Sequence, residues 1–257
     1  MNLLIQILFI TITFADYGGG YAGSGFRYGS NAREFSLAGA LIADKSPGFY
    51  AFSNPALLAI SRYNHIGTSI QEMSLDRSIQ SFSFIRRIPP NAGMGLSILR
   101  AGTDNIIRRD AMNNEIGSFS SYDAQGIISF GVGFTSNVGI GINIKALFSK
   151  IFEEYSGNGI AIDIGLIYRL NRYLTTGMLI KNLNANYNWK IVFGEDEKSY
   201  EEQIPKIYVI GFTYSGIKST MILFQHDIVI TPNNNVNFRM RIGNEYILKN
   251  KLKIRCG

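Results

Sequence analysis

The chain lacks most of the features that would point away from a β-protein. It has one cysteine, Cys256, so no disulfide framework can form within it, and that cysteine does not follow the N-terminal leader, which excludes a lipoprotein anchor there. Prolines number only six, and charged residues make up 17% of the 257 positions. Beyond the N-terminus no run of about 18 apolar residues occurs, which excludes helical membrane spans. The two histidines, His65 and His226, fall on different strand-like runs. There is no Ser/His/Asp spacing, no cluster of metal ligands and no phosphate-cradling glycine loop, since Gly139 and Gly141 lie inside a strand pattern instead of ahead of a helix. The expectation is a protein that is not an enzyme and carries no cofactor or metal. Its net charge of +6 comes from scattered Lys and Arg, not from a basic stripe, which argues against nucleic acid as a partner.

What is plentiful is glycine (27), tyrosine (14) and phenylalanine (17), the balance of a β-protein with close backbone approaches and amphipathic aromatic positions. Residues 1–15 read as a signal peptide: Leu3 to Phe14 is an apolar core, and Thr13-Phe14-Ala15 fits small-x-small cleavage after Ala15. Residues 16–62 form a lead-in and a compact segment. Asp16 to Ser30 is Gly-rich and expected to be flexible, and from Ala32 the spacing of Phe35, Leu37, Ala38, Leu41 and Ile42 predicts a short helix ended by Asp44, Ser46, Pro47 and Gly48. Asn54 is placed to cap a second short helix with Pro55 at its first position. Helices this short do not stand alone and need a surrounding wall.

From Tyr63 onward the period is two. Val138, Ile140, Ile142, Ile144, Ala146 and Phe148 alternate with Gly139, Gly141, Asn143, Lys145, Leu147 and Ser149, and similar alternation runs through 160–169 and 236–245. One face is apolar and the other carries glycines and charges, the lipid-out, lumen-in pattern of a transmembrane β-barrel. The links support this over a soluble sandwich: Ile88 to Ala92, Thr135 to Asn137, Leu170 to Arg172, Ser215 to Lys218 and Leu248 to Asn250 are tight, while Thr103 to Ser121 and Leu183 to Gln203 are long and polar. Short periplasmic turns alternating with longer outer loops belong to strands that cross a membrane up and down. The expected architecture is an all-β, antiparallel, up-and-down barrel over 63–257 with about 11 strands, an odd number that predicts a C-terminal truncation. Tyr122, Phe134, Tyr168, Tyr173, Tyr187, Trp189, Tyr208, Tyr214 and Tyr246 are expected in interfacial aromatic girdles.

Candidate functional residues fall in two groups. Lys145, Asp163, Arg239, Arg241 and Glu245 occupy inward phases, where opposed charges are expected to tie barrel to hatch, with Arg239 and Arg241 meeting an anionic headgroup as the alternative. Glu195, Asp196, Glu197, Glu201 and Glu202 form an acidic cluster in an outer loop, expected to be a solvated face.

Ala32-Arg33, Gly39-Ala40, Ile42-Ala43-Asp44 and Asn54-Pro55-Ala56-Leu57 resemble the N-terminal signature of the long-chain fatty acid transporter (FadL) superfamily and its PorV/PorQ relatives. The resemblance covers about thirty residues and implies a 14-stranded barrel with an N-terminal hatch in its lumen, the hatch motif here being Gly39, Ala40, Asp44, Asn54, Pro55 and Ala56. The two branches imply different work. The FadL branch implies passive uptake of hydrophobic small molecules through the hatch and a gap in the wall. The PorV/PorQ branch implies type IX secretion, with secreted cargo proteins or secretion-system components as partners beside outer-membrane lipid. The polar outer loops lack the apolar helical hairpin of a fatty-acid capture groove, which favours the PorV/PorQ branch, with FadL-like uptake and a porin-like or structural barrel as the alternatives.

Overall fold

A computed structural model describes residues 21–257 except 47, 153, 194, 195, 250 and 251. The expected leader and its cleavage point lie outside the described residues. Twelve strands make one antiparallel sheet: β1 (His65–Met73), β2 (Arg77–Ile88), β3 (Ala92–Arg109), β4 (Glu115–Gly133), β5 (Val138–Lys150), β6 (Tyr155–Arg169), β7 (Leu174–Phe193), β8 (Asp196–Gln203), β9 (Lys206–Ile217), β10 (Thr220–Ile230), β11 (Val236–Leu248) and β12 (Leu252–Cys256). Their order follows the chain, with β8 paired to β7 off the main path. The sheet does not close: among the described residues β1 and β12 each lack a second neighbour.

The difference from the expected eleven lies in the two long links. Thr103 to Ser121 is not an open loop, because β3 and β4 continue pairing through it and turn only near Asp110 to Asn114. Leu183 to Gln203 is likewise strand: β7 runs on to Phe193, and β8 returns along it from Phe193↔Asp196 to Asn186↔Gln203. β9 then pairs with the other half of β7, from Lys181↔Ile207 to Leu174↔Tyr214. β8 and β9 are thus two halves of one crossing, broken at Ile204 and Pro205, where proline brings no N–H to the ladder. Counted as crossings, the wall has the expected eleven.

The two faces are sorted as the alternation predicts. On β4 and β5, Ile128 and Ile144 are exposed while their neighbours Ile127 and Lys145 are buried, and on β11 Phe238 and Met240 project outward with 66% and 70% of their surface uncovered. An apolar outer face and a packed inner one are what a wall immersed in lipid requires. Tyr168, Tyr173, Tyr208 and Tyr214 are outward and partly exposed. Tyr187 and Trp189 are not part of a girdle: they face inward, buried to 1% and 3%, because the strand they sit on packs over the N-terminal segment.

That segment and the hatch fill the interior. Ser24–Arg27 forms a 3-10 turn instead of a flexible lead-in. Helix α1 (Ala32–Ser36) is shorter than its apolar spacing predicts, since Ala38 and Gly39 take left-handed backbone angles (φ 51° and 75°) and stop it. Asn31 caps it, its side chain accepting from the Glu34 N–H. Helix α2 (Tyr50–Ser53) leads into a 3-10 helix, Pro55–Ile60, capped by Asn54 as predicted. Leu37, Leu57 and Leu58 are fully buried, each worth about 2 kcal/mol of transfer free energy. The hatch lies directly on wall glycines. A Cβ at Gly93 would sit 2.6 Å from the Leu58 carbonyl oxygen, one at Gly131 2.7 Å from that of Pro55, and one at Gly141 would collide with the Pro55-Ala56 peptide.

Candidate functional site

The wall is least regular at β7. Between Ile160↔Asn186 and Ile164↔Ile180 its pairing with β6 slips twice, so β7 carries two extra residues there. Asn182 and Asn184 supply the left-handed conformations (φ 60° and 48°) that two successive bulges need, and asparagine tolerates that region better than most residues. On the other side of β7 this is the gap between β8 and β9. The Ile204 N–H to Ala185 carbonyl bond (3.0 Å) and the Asn182 side-chain amide to the Pro205 carbonyl (3.0 Å) cross it.

Behind this break lies a cavity of about 110 Å³. Phe26, Phe52, Leu99, Ile127, Ile204, Val209 and Val229 supply its apolar surface, and Lys145, Asp163, Lys181, Gln225, Asp227, Arg239 and Arg241 its polar side. Toward the long-hairpin end is a wider vestibule of about 360 Å³, lined by Tyr21, Tyr122, Tyr187, Trp189 and Glu202 among others. Ala22, Gly23 and Tyr28 line both spaces, so the N-terminal segment is the partition between them. The partition is pinned at Gly25, whose N–H donates to Asp123 Oδ2 at 3.0 Å while Ser149 Oγ donates to Asp123 Oδ1 at 2.6 Å. A side chain at residue 25 would push Asp123 out of this arrangement, since its Cβ would lie 2.8 Å from that carboxylate.

The inward charges form two clusters. In the first, Lys145 Nζ is 2.7 Å from Asp163 Oδ1 with both side chains buried, and it also donates to Asn182 Oδ1 at 2.8 Å. Asp163 Oδ1 accepts the Asn182 N–H that the bulge releases from the ladder (3.0 Å). Asn143 donates both to Asp163 Oδ2 (3.0 Å) and to the Ala51 carbonyl in α2 (2.8 Å), and Lys181 Nζ donates to the Phe52 carbonyl at 2.9 Å. The wall break and α2 therefore share one hydrogen-bond network. In the second cluster Glu245 receives Arg33 from α1, Arg255 at 2.6 Å and Lys253 at 3.8 Å, while Arg33 also pairs with Asp44 at 2.9 Å. Burial opposes the charge on Arg33, and the Asp44 and Glu245 carboxylates more than offset it, holding its pKa above the ordinary guanidinium value.

The hatch motif residues are spread along this packing. Asn54, fully buried, donates toward the carbonyls of Ile42 (3.1 Å), Leu166 (3.2 Å) and Met178 (3.4 Å), and its Oδ1 accepts from the Ala56 N–H at 3.0 Å. Gly39 leaves room for the Arg241 guanidinium, Ala40 and Ala56 are buried, and Pro55 rests on Gly131 and Gly141. Arg241 pairs with Asp227 at 2.8 Å, and Arg239 lines the same cavity. Sequence reasoning missed Asp227, Lys181 and the Gly25–Asp123 pin. Asp227 was within reach, since Leu223, Gln225, Asp227 and Val229 keep the inward phase of an expected strand; the pin joins residues 98 positions apart and leaves no periodic mark. His65 opens β1 and His226 lies on β10, stacked on Phe238 at 5.8 Å between ring centres. Glu195 lies outside the described residues; Asp196 to Glu202 form the exposed edge strand β8.

Fold and interior together define a class: a transmembrane β-barrel wall plugged by its own N-terminal hatch. Two solved structures share that fold. One is a protein titled "CymD monoaromatic hydrocarbon channel", 12% identical over 86% of this chain and 80% of its own, with a TM-score of 0.56. The other is titled as the Pseudomonas putida toluene transporter TodX, 10% identical over 86% of this chain and 81% of its own, with a TM-score of 0.50. No family model matches the sequence, and no match is found among curated proteins.

Proposed function

We propose that this protein is an outer-membrane conduit for passive passage of small hydrophobic molecules, of the FadL-like kind. The observation that carries the reading is the cavity behind the doubly bulged β7, lined by apolar as well as charged side chains and bordered by Asn182, Ile204 and Pro205, where among the described residues β7 loses ladder pairing to both neighbours. In this reading a molecule held against the apolar side of the cavity leaves for the bilayer through the break. Two solved barrels of the same fold are named for hydrocarbon transport, which moves the balance from the secretion role favoured by the polar outer hairpins to the uptake role. Those hairpins are strand extensions and not open loops, so they are not evidence for a cargo-docking surface. In this reading the inward charges hold the hatch and the break in register, and no residue does covalent chemistry. The test is accumulation of radiolabelled toluene and decanoate by host cells whose own outer-membrane hydrophobic channels are deleted. Faster uptake than in empty-vector cells is expected; equal uptake of both probes would overturn the proposal.

A further inference from the structure

The two ends of the wall differ in charge. At the end of the long hairpins the turns and their flanks mix both signs, with Asp76, Asp110, Glu115, Glu154 and Asp196 beside Arg77, Arg108, Arg109, Lys150 and Lys198. At the short-turn end, periplasmic by the barrel rule, the charged residues in and beside the turns are Arg86, Arg87, Arg169, Arg172, Lys218 and Lys249, with no Asp or Glu among them. Within that end is a recess of about 430 Å³ below the Pro55–Ile60 turn. Arg62 from the hatch exit, Arg87 from β2 and Arg169 from β6 line it, with Asn91 and Ser136. Among the described residues none of the three guanidiniums has a carboxylate within ion-pair distance, unlike the inward Arg33 and Arg241. The hatch adds to the excess: burial first, and then Arg169 and Arg62, hold the Lys45 pKa below that of an ordinary lysine.

We infer that this recess is a binding site for a small oxyanion, a phosphate or a carboxylate, at the periplasmic mouth of the lumen. Three guanidiniums from three separate elements offer forked donors that match such a group, and the single-sign surface around them concentrates anions. A lipid headgroup is not the occupant. Arg87 and Arg169 continue the register of Ile85 and Ile167, both buried against the hatch, so they lie on the lumen side of the wall and not the lipid side. The site is independent of what crosses the lumen above it and stands or falls separately from the uptake proposal.

The test is calorimetric titration of the purified full chain in neutral detergent at low ionic strength, with pyrophosphate and citrate as probes. Saturable one-to-one binding of at least one probe is expected, weakened at least tenfold by R87Q/R169Q. Arg62→Gln, which lies ahead of β1 and outside the wall, is expected to weaken it at least threefold and serves if the double variant loses its heat-modifiable fold. K218Q/K249Q removes the same charge from turns outside the recess and should change affinity less than twofold. Absence of saturable binding by the unaltered protein, or equal weakening by K218Q/K249Q, would overturn the inference.

Discussion

Replacing Asn54 with alanine should unlatch the hatch while leaving the wall intact. The side chain is fully buried and ties Ile42 to the turn at Ala56 and to the backbones of β6 and β7. Truncation leaves at least two buried groups, the Ala56 N–H and the Ile42 carbonyl, without that partner. At about 1–2 kcal/mol for each, the loss is about 2–4 kcal/mol, a rise of roughly 30- to 700-fold in the population of hatch-open states at 1.4 kcal/mol per decade. Amide exchange read by mass spectrometry should show faster exchange across Ile42 to Ile60, while β4 and β5 keep their protection. Planar-bilayer recordings should show larger or more frequent conductance steps. Unchanged exchange in the hatch would refute the reasoning, as would an equal increase in the wall strands, which would place the loss in global stability and not in the latch.

Three further perturbations separate seat, anchor and partition. Gly141→Val drives a side chain into the Pro55-Ala56 peptide and should raise bilayer conductance, whereas Gly126→Val, with nothing within 4 Å of its Cβ, should leave conductance and heat-modifiability unchanged. Glu245→Gln removes the carboxylate shared by Arg33 and Arg255; since both cations retain some solvent, the cost should be about 2 kcal/mol, below that of a fully buried pair, seen as a lower urea midpoint. Asp123→Ala frees the partition at Gly25 and should loosen Ala22 and Phe26 from the single tryptophan, Trp189, read as faster quenching of its fluorescence by added acrylamide.

How much was legible in the sequence follows from what each feature leaves along the chain. The wall was readable because lipid outside and packing inside force a period of two at every strand, as with Ile144 outward and Lys145 inward. Asn54 and Pro55 were readable because capping is local. The extended hairpins were not, since strands that leave the bilayer lose the apolar face that marks them: β8 is Asp-Glu-Lys-Ser-Tyr-Glu-Glu-Gln, and beyond the backbone ladder it meets β7 through polar and aromatic pairs such as Lys190–Glu197 and Trp189–Tyr200. Tyr187 and Trp189 were misplaced for a related reason, because an inward aromatic over a plug and an outward one in a girdle sit at the same distance from a strand end. The break in β7 needed two partners at once, a pair of left-handed asparagines on one strand and a proline on the next.

Passage of an apolar molecule through the cavity behind β7 is tested by the initial rate of radiolabelled toluene uptake in cells producing Val229→Trp, which fills the cavity, beside Ile228→Trp, which adds the same bulk to the neighbouring outward position. At least a tenfold fall toward the vector background is expected for the first and a rate within twofold of the unaltered protein for the second, with both variants heat-modifiable on gels. Equal rates in the two variants would contradict it.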